Sequence, residues 1–171
     1  MKSIVYLSLG SSVEPRFDYL KFAVKSLKAE PFVSNIEISR IYETKPLGDT
    51  AKNLFLNAVL KVMVQSKNPH DFLRFLNEIE QKAMRKRILK WGDRTLDIDI
   101  LMWDSQIIND ENLIIPHPEL HKRDFVLKPF CDVAPDAEHP VFKKQISDLY
   151  SDLISKGSDF VYILNPLNIN L

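Results

Sequence analysis

The hydrophobic pattern switches between a period near two and a period near four, and each switch marks a new element. The opening run KSIVYLSLG is short, apolar and ends in Gly10, which predicts a first strand. After the turn SSVEP, Phe17, Leu20, Val24 and Leu27 recur at helical spacing, with Pro15 suited to a first helical turn and Pro31 closing the element. Residues 32–42 read as extended, and KPLGDTAKN, holding Pro46 and Gly48, as a long loop. In LFLNAVLKVMVQ the alternation is clearest: Leu54, Leu56, Ala58, Leu60, Val62 and Val64 share one strand face, and the opposite face begins with Phe55 and Asn57. Asn68 and Pro69 then open a second amphipathic helix through Phe72, Leu73, Leu76 and Ile79. It runs into the cation-rich KAMRKRILKWGDR. Next comes TLDIDILMW, a strand with Leu96, Ile98, Ile100 and Met102 on one face and Asp97 and Asp99 on the other.

The order βαββαβ predicts an α+β fold: a ferredoxin-like sandwich, its sheet covered by helices on one face and left open for chemistry on the other. Additional short C-terminal elements follow. They are a hairpin through Ile107 to Ile115, the segment IPHPELHKRDF, a turn at VAPDAEHP, an amphipathic helix within FKKQISDLYSDLI, and FVYIL as a final strand or docked tail. A length of 171 residues is expected to form one domain, residues 1–171.

Composition narrows the function. Lys plus Arg (23) balance Asp plus Glu (23), so overall charge predicts neither nucleic-acid nor membrane binding, and any electrostatic function must be local. The single cysteine, Cys131, has no internal disulfide partner. With no signal segment and no apolar run of membrane-spanning length, a cytoplasmic monomer is the expectation. The glycines, Gly10, Gly48, Gly92 and Gly157, are spaced for neither a Walker P-loop nor GxGxxG. A bound nucleotide would therefore be held by metal and cationic side chains.

Asp97 and Asp99 are like charges on adjacent same-face positions. Either they are exposed or individually paired to cations, or they hold a divalent cation such as Mg²⁺, whose remaining coordination is filled by water and substrate phosphates. Just upstream, Lys82, Arg85, Lys86, Arg87, Lys90 and Arg94 form the strongest charge cluster in the chain. A solvated helix face accounts for such a run. Its position between a helix end and the acidic strand offers the alternative of a mobile arm, broken at Trp91 and Gly92, folding over a metal-bound polyphosphate. Phe55 and Asn57 are either an ordinary strand face or a flat surface beside a neutral amide, suited to a heteroaromatic ring stacked on the phenyl and read at its edge. His117 and His121 have zinc-compatible spacing, but Pro118 breaks HExxH and no third ligand is evident. His117, with Arg123 close behind, better suits a donor to phosphate or base. Cys131 reads as a small buried residue.

In sum the segments YLSLGSS, IYETKPLG, NLFLNAV, RKRILKWGDRTLDIDIL and IPHPELHKRDFVLKPFCDVAP closely resemble the 6-hydroxymethyl-7,8-dihydropterin pyrophosphokinase family of folate biosynthesis. The resemblance spans most of the chain, and WGxRTLDIDI followed by IPHP and RxFVL is its most specific part. It implies diphosphate transfer from MgATP to the pterin hydroxymethyl, releasing AMP. By resemblance, Asp97 and Asp99 hold two Mg²⁺ ions, while Arg85, Arg87 and Arg94 act catalytically in or beside a mobile loop. Phe55 and Phe125 sandwich the pterin, and Asn57, Thr44 and Leu47 read its edge. Glu80, Lys90, Trp91, Ile100, His117 and Arg123 belong to the ATP site. Ser12, Phe55, Met84, Lys90 and Asp93 depart from the usual pattern, none of them a metal ligand. Lys90 lacks the planar fork of Arg, and altered loop closure or affinity is expected rather than inactivity. Two other readings stand beside this one. A single-stranded RNA-binding module shares the βαββαβ topology, but RNP1 is absent and the aspartates occupy the face RNA would approach. An inactive relative would bind pterin without turnover.

Overall fold

The computed structural model describes residues 2–46, 53–65, 67–83 and 93–157. The elements are β1 (Lys2–Ser11), α1 (Arg16–Lys28), β2 (Val33–Ile38), β3 (Tyr42–Thr44), β4 (Phe55–Gln65), α2 (Pro69–Lys82) and β5 (Asp97–Trp103). A small hairpin, β6 (Ile108–Asn109) with β7 (Ile114–Ile115), a 3₁₀ turn at Leu120–Lys122, and helices α3 (Asp124–Val133) and α4 (Ile146–Ser155) follow. Strands β2, β4, β1 and β5 lie side by side in that order, β3 also pairs with β4, and every pairing is antiparallel. This is the expected ferredoxin-like sheet. The extended stretch after α1 is interrupted at Ser39, whose amide donates to the Val59 carbonyl while its hydroxyl accepts from the Val59 amide, both at 2.9 Å.

Local chemistry explains the element boundaries. At the start of α2 the Asn68 side chain accepts from the Asp71 amide at 2.9 Å, and Pro69 fills the first helical position, where no amide donor is needed. The alternating apolar residues of β1 and β4, with Ile98 and Ile100 of β5, meet α1 and α2 in one core containing Leu7, Leu20, Leu60, Phe72 and Leu76. Phe72 is fully buried and meets Trp103 edge-on at 5.5 Å between ring centroids. Burial of such surface is the main stabilising term.

Two expectations are corrected. The second sheet face is not left open: α3 and α4 cover one end of it, forming a separate core of Tyr6, Val59, Met102, Leu127, Phe130 and Ile146. Helix α3 was hidden in the sequence because Pro129 lies inside it. Proline removes a helical hydrogen bond, and here that loss is offset by burying Val126, Leu127 and Phe130. Met102, expected to share a face with Ile98 and Ile100, instead joins the second core. Between the pairs Leu7↔Ile100 and Tyr6↔Met102 the register slips, leaving Leu101 as an extra residue. Such a bulge reverses which side chains face which side. Trp103 then returns to the first core.

The hairpin between Ile107 and Ile115 and the helix in FKKQISDLYSDLI are where the pattern puts them. The FVYIL segment lies outside the described residues. Phe72→Ala is expected to lower stability by about 3–5 kcal/mol, through lost burial plus a residual cavity, whereas Ile107→Ala, at an exposed position, should change it by less than about 0.5 kcal/mol. Urea unfolding of the two variants checks the contrast.

Candidate active site

The part of the second sheet face beyond α3 and α4 forms a cleft open to solvent. Its floor follows from strand register. Gly10 on β1 is paired with Asn57 on one side and Asp97 on the other, and one step along the strand Ser8 lies opposite Asp99. Adjacent strands are ~4.8 Å apart, so the Asn57 and Asp97 backbones stand about 10 Å from each other across Gly10. A methyl group at Gly10 would come 3.4 Å from the Asn57 side-chain oxygen Oδ1 and 3.9 Å from the Asp97 Cβ. Glycine thus keeps the floor low between the two sites.

At the Asn57 side, Thr44 pairs with Phe55 across β3 and β4, and the Asn57 amide donates to the Thr44 hydroxyl at 2.6 Å. That bond fixes the amide orientation. Phe55 lines one side of the cleft from β4, while Phe125 and Val126 line it from α3. The aromatic pair expected to hold a flat ring is therefore brought together by two separate elements.

At the Asp97 side, Arg94 forms an ion pair with Asp97. Arg94 is held by its own backbone: its amide donates to the Ser12 hydroxyl at 2.9 Å, and its carbonyl accepts from the Ser12 amide at 2.9 Å. Ser12 in turn donates to Asp93 at 3.2 Å, and Asp93 also accepts from the Asn53 amide at 3.2 Å. Ser12 and Asp93 thus satisfy each other. Glu80, buried on α2, accepts from the Ile98 amide at 2.8 Å, tying down the backbone between the two aspartates. Ile100 is buried in the core on the opposite face from the carboxylates, so only its backbone is directed along the sheet.

His117 Nε2 lies 4.0 Å from the Asp99 carboxylate. Its backbone amide donates to the carbonyl of Leu101, the bulge residue, at 2.9 Å, so the bulge helps place this side chain. Burial, reinforced by the Arg123 charge, pulls the imidazole down to about 4. The ring is neutral at pH 7, and Nδ1 accepts from the Glu119 amide at 3.1 Å. The proton then resides on Nε2, facing the carboxylates. His121, by contrast, stacks edge-on with Phe142 at 4.7 Å, away from His117's role. Among the described residues no group of three or more His, Cys, Asp or Glu side chains is arranged to hold a metal. Two same-face carboxylates do fit Mg²⁺, which takes one or two protein carboxylates and completes its shell with phosphate and water.

Arg94, Thr44, Phe55, Asn57, Asp97, Asp99, Arg123 and Phe125 all line one cleft. Leu47, Arg85, Arg87, Lys90 and Trp91 lie outside the described residues. Sequence reading missed Ser8, Gly10 and Lys45 as lining residues. For Gly10 and Ser8 the signal was available, since both share the strand face that the register sets opposite the aspartates.

The family described as 7,8-dihydro-6-hydroxymethylpterin-pyrophosphokinase (HPPK) matches residues 6–135. The chain belongs to the HPPK family. A relative named 2-amino-4-hydroxy-6-hydroxymethyldihydropteridine pyrophosphokinase from Aquifex aeolicus is 38% identical over 144 residues, 84% of this chain and 88% of its own. One of the same name from Haemophilus influenzae is 34% identical over 162 residues, covering 94% of this chain and 98% of its own. In fold, the chain is similar to a crystal structure of wild-type Plasmodium falciparum HPPK-DHPS with pteroate, with a TM-score of 0.74 at 16% identity. That match covers 97% of this chain and 47% of the longer one, so this chain spans about half its length. The HPPK fold therefore accounts for the ferredoxin-like sheet. No helix among the described residues is long and apolar enough to cross a membrane.

Asp124 sits between two cleft residues, Arg123 and Phe125. It is 4% exposed, and one of its carboxylate oxygens has no hydrogen-bond partner among the described residues. Burial pushes its carboxyl up to about 7, and the hydrogen bond it accepts from the Phe125 amide offsets this only in part. A raised folded-state pKa means that the group's contribution is complete below its ordinary value of 3.8 and is lost as pH rises through about 7. Asp124→Asn, neutral at every pH, should therefore come closest to the wild type near pH 3 and exceed its stability at pH 8 by about 1–3 kcal/mol. Denaturant unfolding at the two pH values measures the difference.

Proposed function

We propose that this chain transfers diphosphate from MgATP to the hydroxymethyl group of 6-hydroxymethyl-7,8-dihydropterin, giving AMP and the pterin diphosphate in folate biosynthesis. The observation that carries the reading is the floor of the cleft, where an amide built for ring-edge recognition and a pair of carboxylates face the same space across Gly10. The named activities of the HPPK relatives support it. A flat ring seated between Phe55 and Phe125, with its edge on Asn57 and Thr44, directs its hydroxymethyl toward Asp97 and Asp99.

In the proposed reaction the hydroxyl oxygen attacks the β-phosphorus of ATP, the bond from that phosphorus to the oxygen bridging the α- and β-phosphates breaks, and AMP leaves with the bridging oxygen. The hydroxyl proton passes to solvent, because no side chain among the described residues stands as an obligatory base. Asp97 and Asp99 would hold two Mg²⁺ ions, which would neutralise phosphate charge. The protein's own contribution is chiefly positioning and charge stabilisation. Arg94, paired with Asp97, can transfer its charge to an incoming phosphate. His117 offers an Nε2 donor from a neutral ring, and Arg123 a second cation at the start of α3. Glu80 acts through the β5 backbone. Arg85, Arg87, Lys90 and Trp91 complete the nucleotide side of the site, Ile100 contributes backbone there, and Leu47 joins the pterin edge. The chain works as a single catalytic domain, cytoplasmic and monomeric, with small-molecule substrates in place of nucleic acid or membrane. Two carboxylates on the sheet face, together with zero formal net charge, oppose the RNA-binding reading.

Incubation with MgATP and the pterin should yield AMP. ADP would indicate single phosphoryl transfer, and the absence of a pterin-dependent product would overturn the assignment. Asp97→Ala is expected to abolish turnover, and full activity in that variant would remove the metal role. Arg94→Ala should lower kcat/KM by an amount equivalent to about 2–4 kcal/mol, as for loss of one anion-stabilising donor, measured by steady-state kinetics.

A further inference from the structure

The two aromatic sides of the cleft belong to different structural units. Phe55 stands on the sheet, whereas Phe125 stands on α3, which is held to the sheet largely by apolar contacts such as Tyr6 against Phe130 at 4.7 Å. Apolar contacts are weakly directional. A directional tie is present at the other end of α3. There Asp132 accepts from the Arg40 guanidinium at 2.7 and 3.2 Å, from the Arg40 amide at 3.2 Å and from the Tyr42 hydroxyl at 2.7 Å.

Each partner leads back to the cleft. Tyr42 is paired with Asn57 across β3 and β4, and the next same-face position on β3 is Thr44. Arg40 lies at the break between β2 and β3 and places its guanidinium 5.7 Å from the Tyr42 ring centroid. Asp132 lies seven residues beyond Phe125, two turns along the same helix. Its side chain is only 14% exposed. Burial pulls its carboxyl upward, but the hydrogen bonds from Arg40 and Tyr42 outweigh this and hold it below its ordinary value, so it is ionised at neutral pH. Three of the four hydrogen bonds come from the half-exposed Arg40 and one from the buried Tyr42, so the Tyr42 bond is the least screened part of the grip.

We propose that Asp132 is a positioning residue for the pterin side of the cleft: by gripping Arg40 and Tyr42 it sets the separation between Phe125 on α3 and the Phe55–Asn57 strand. It touches neither substrate. The inference rests on the pterin site proposed above. Because the brace ends on β3 and α3, while the carboxylates stand on β5, loosening it acts chiefly on the pterin; on the nucleotide side only Arg123, at the start of α3, shifts with it.

Steady-state kinetics with each substrate varied in turn tests this, alongside circular dichroism to establish folding. Asp132→Ala should raise the KM for the pterin about tenfold and the KM for ATP, through Arg123, by no more than about threefold, with kcat at saturation within about twofold of wild type. Tyr42→Phe, losing one of the four bonds, should show a smaller shift of about two- to fivefold in the same direction. Asp132→Glu, which keeps the charge, should restore most of the pterin affinity. If Asp132→Ala does not fold, Tyr42→Phe and Asp132→Glu carry the comparison. An unchanged KM for the pterin in folded variants, or equal weakening of both substrates, would overturn the brace. Failure of the wild type to form AMP from MgATP and the pterin would instead overturn the reading of the site on which it rests.

Discussion

The antiparallel pairing of β4, β1 and β5 is the constraint on which the rest of the site depends. Hydrogen bonds between these strands set Asn57, Gly10 and Asp97 in one row and Val59, Ser8 and Asp99 in the next. A ladder leaves little choice of register when one face must be buried, because a one-residue slip would carry Leu7, Leu60 and Ile98 out of the core. The apolar face thereby fixes the distance between Asn57 and the two aspartates on the other face. Core packing and site geometry are two sides of the same strands.

A second layer of control comes from elements attached to this sheet at their ends. Glu80 reaches from α2 to the Ile98 amide, Ser12 and Asp93 join the turn after β1 to the start of β5, and His117 is hung from the bulge at Leu101. Helix α3 supplies Phe125 and Arg123 and is tied at its far end by Asp132. The site therefore draws on most of the elements, while its two carboxylates sit on a strand held by the sheet. Rigid placement of that kind suits a reaction in which the protein mainly aligns reactants and charge.

Charge in the cleft is arranged unevenly, and the unevenness has physical causes. Asp97 shares its charge with Arg94, Asp99 faces a neutral His117, and the buried Asp124 carboxyl is shifted toward the neutral form. Water exclusion drives the last two shifts.

By itself the amino-acid sequence determined the strand and helix order, the buried face of β4, the start of α2 at Asn68 and Pro69, and the same-face placement of Asp97 and Asp99. All of these follow from periodicity and local backbone chemistry, which act over a few residues. Only the tertiary structure decided that α3 forms despite Pro129, that a bulge at Leu101 turns Met102 to the other face, and that Gly10 separates Asn57 from Asp97. It also decided that Asp132 grips Arg40 and Tyr42 across some ninety positions of chain. Those outcomes depend on long-range packing, in which burial elsewhere outweighs a local preference.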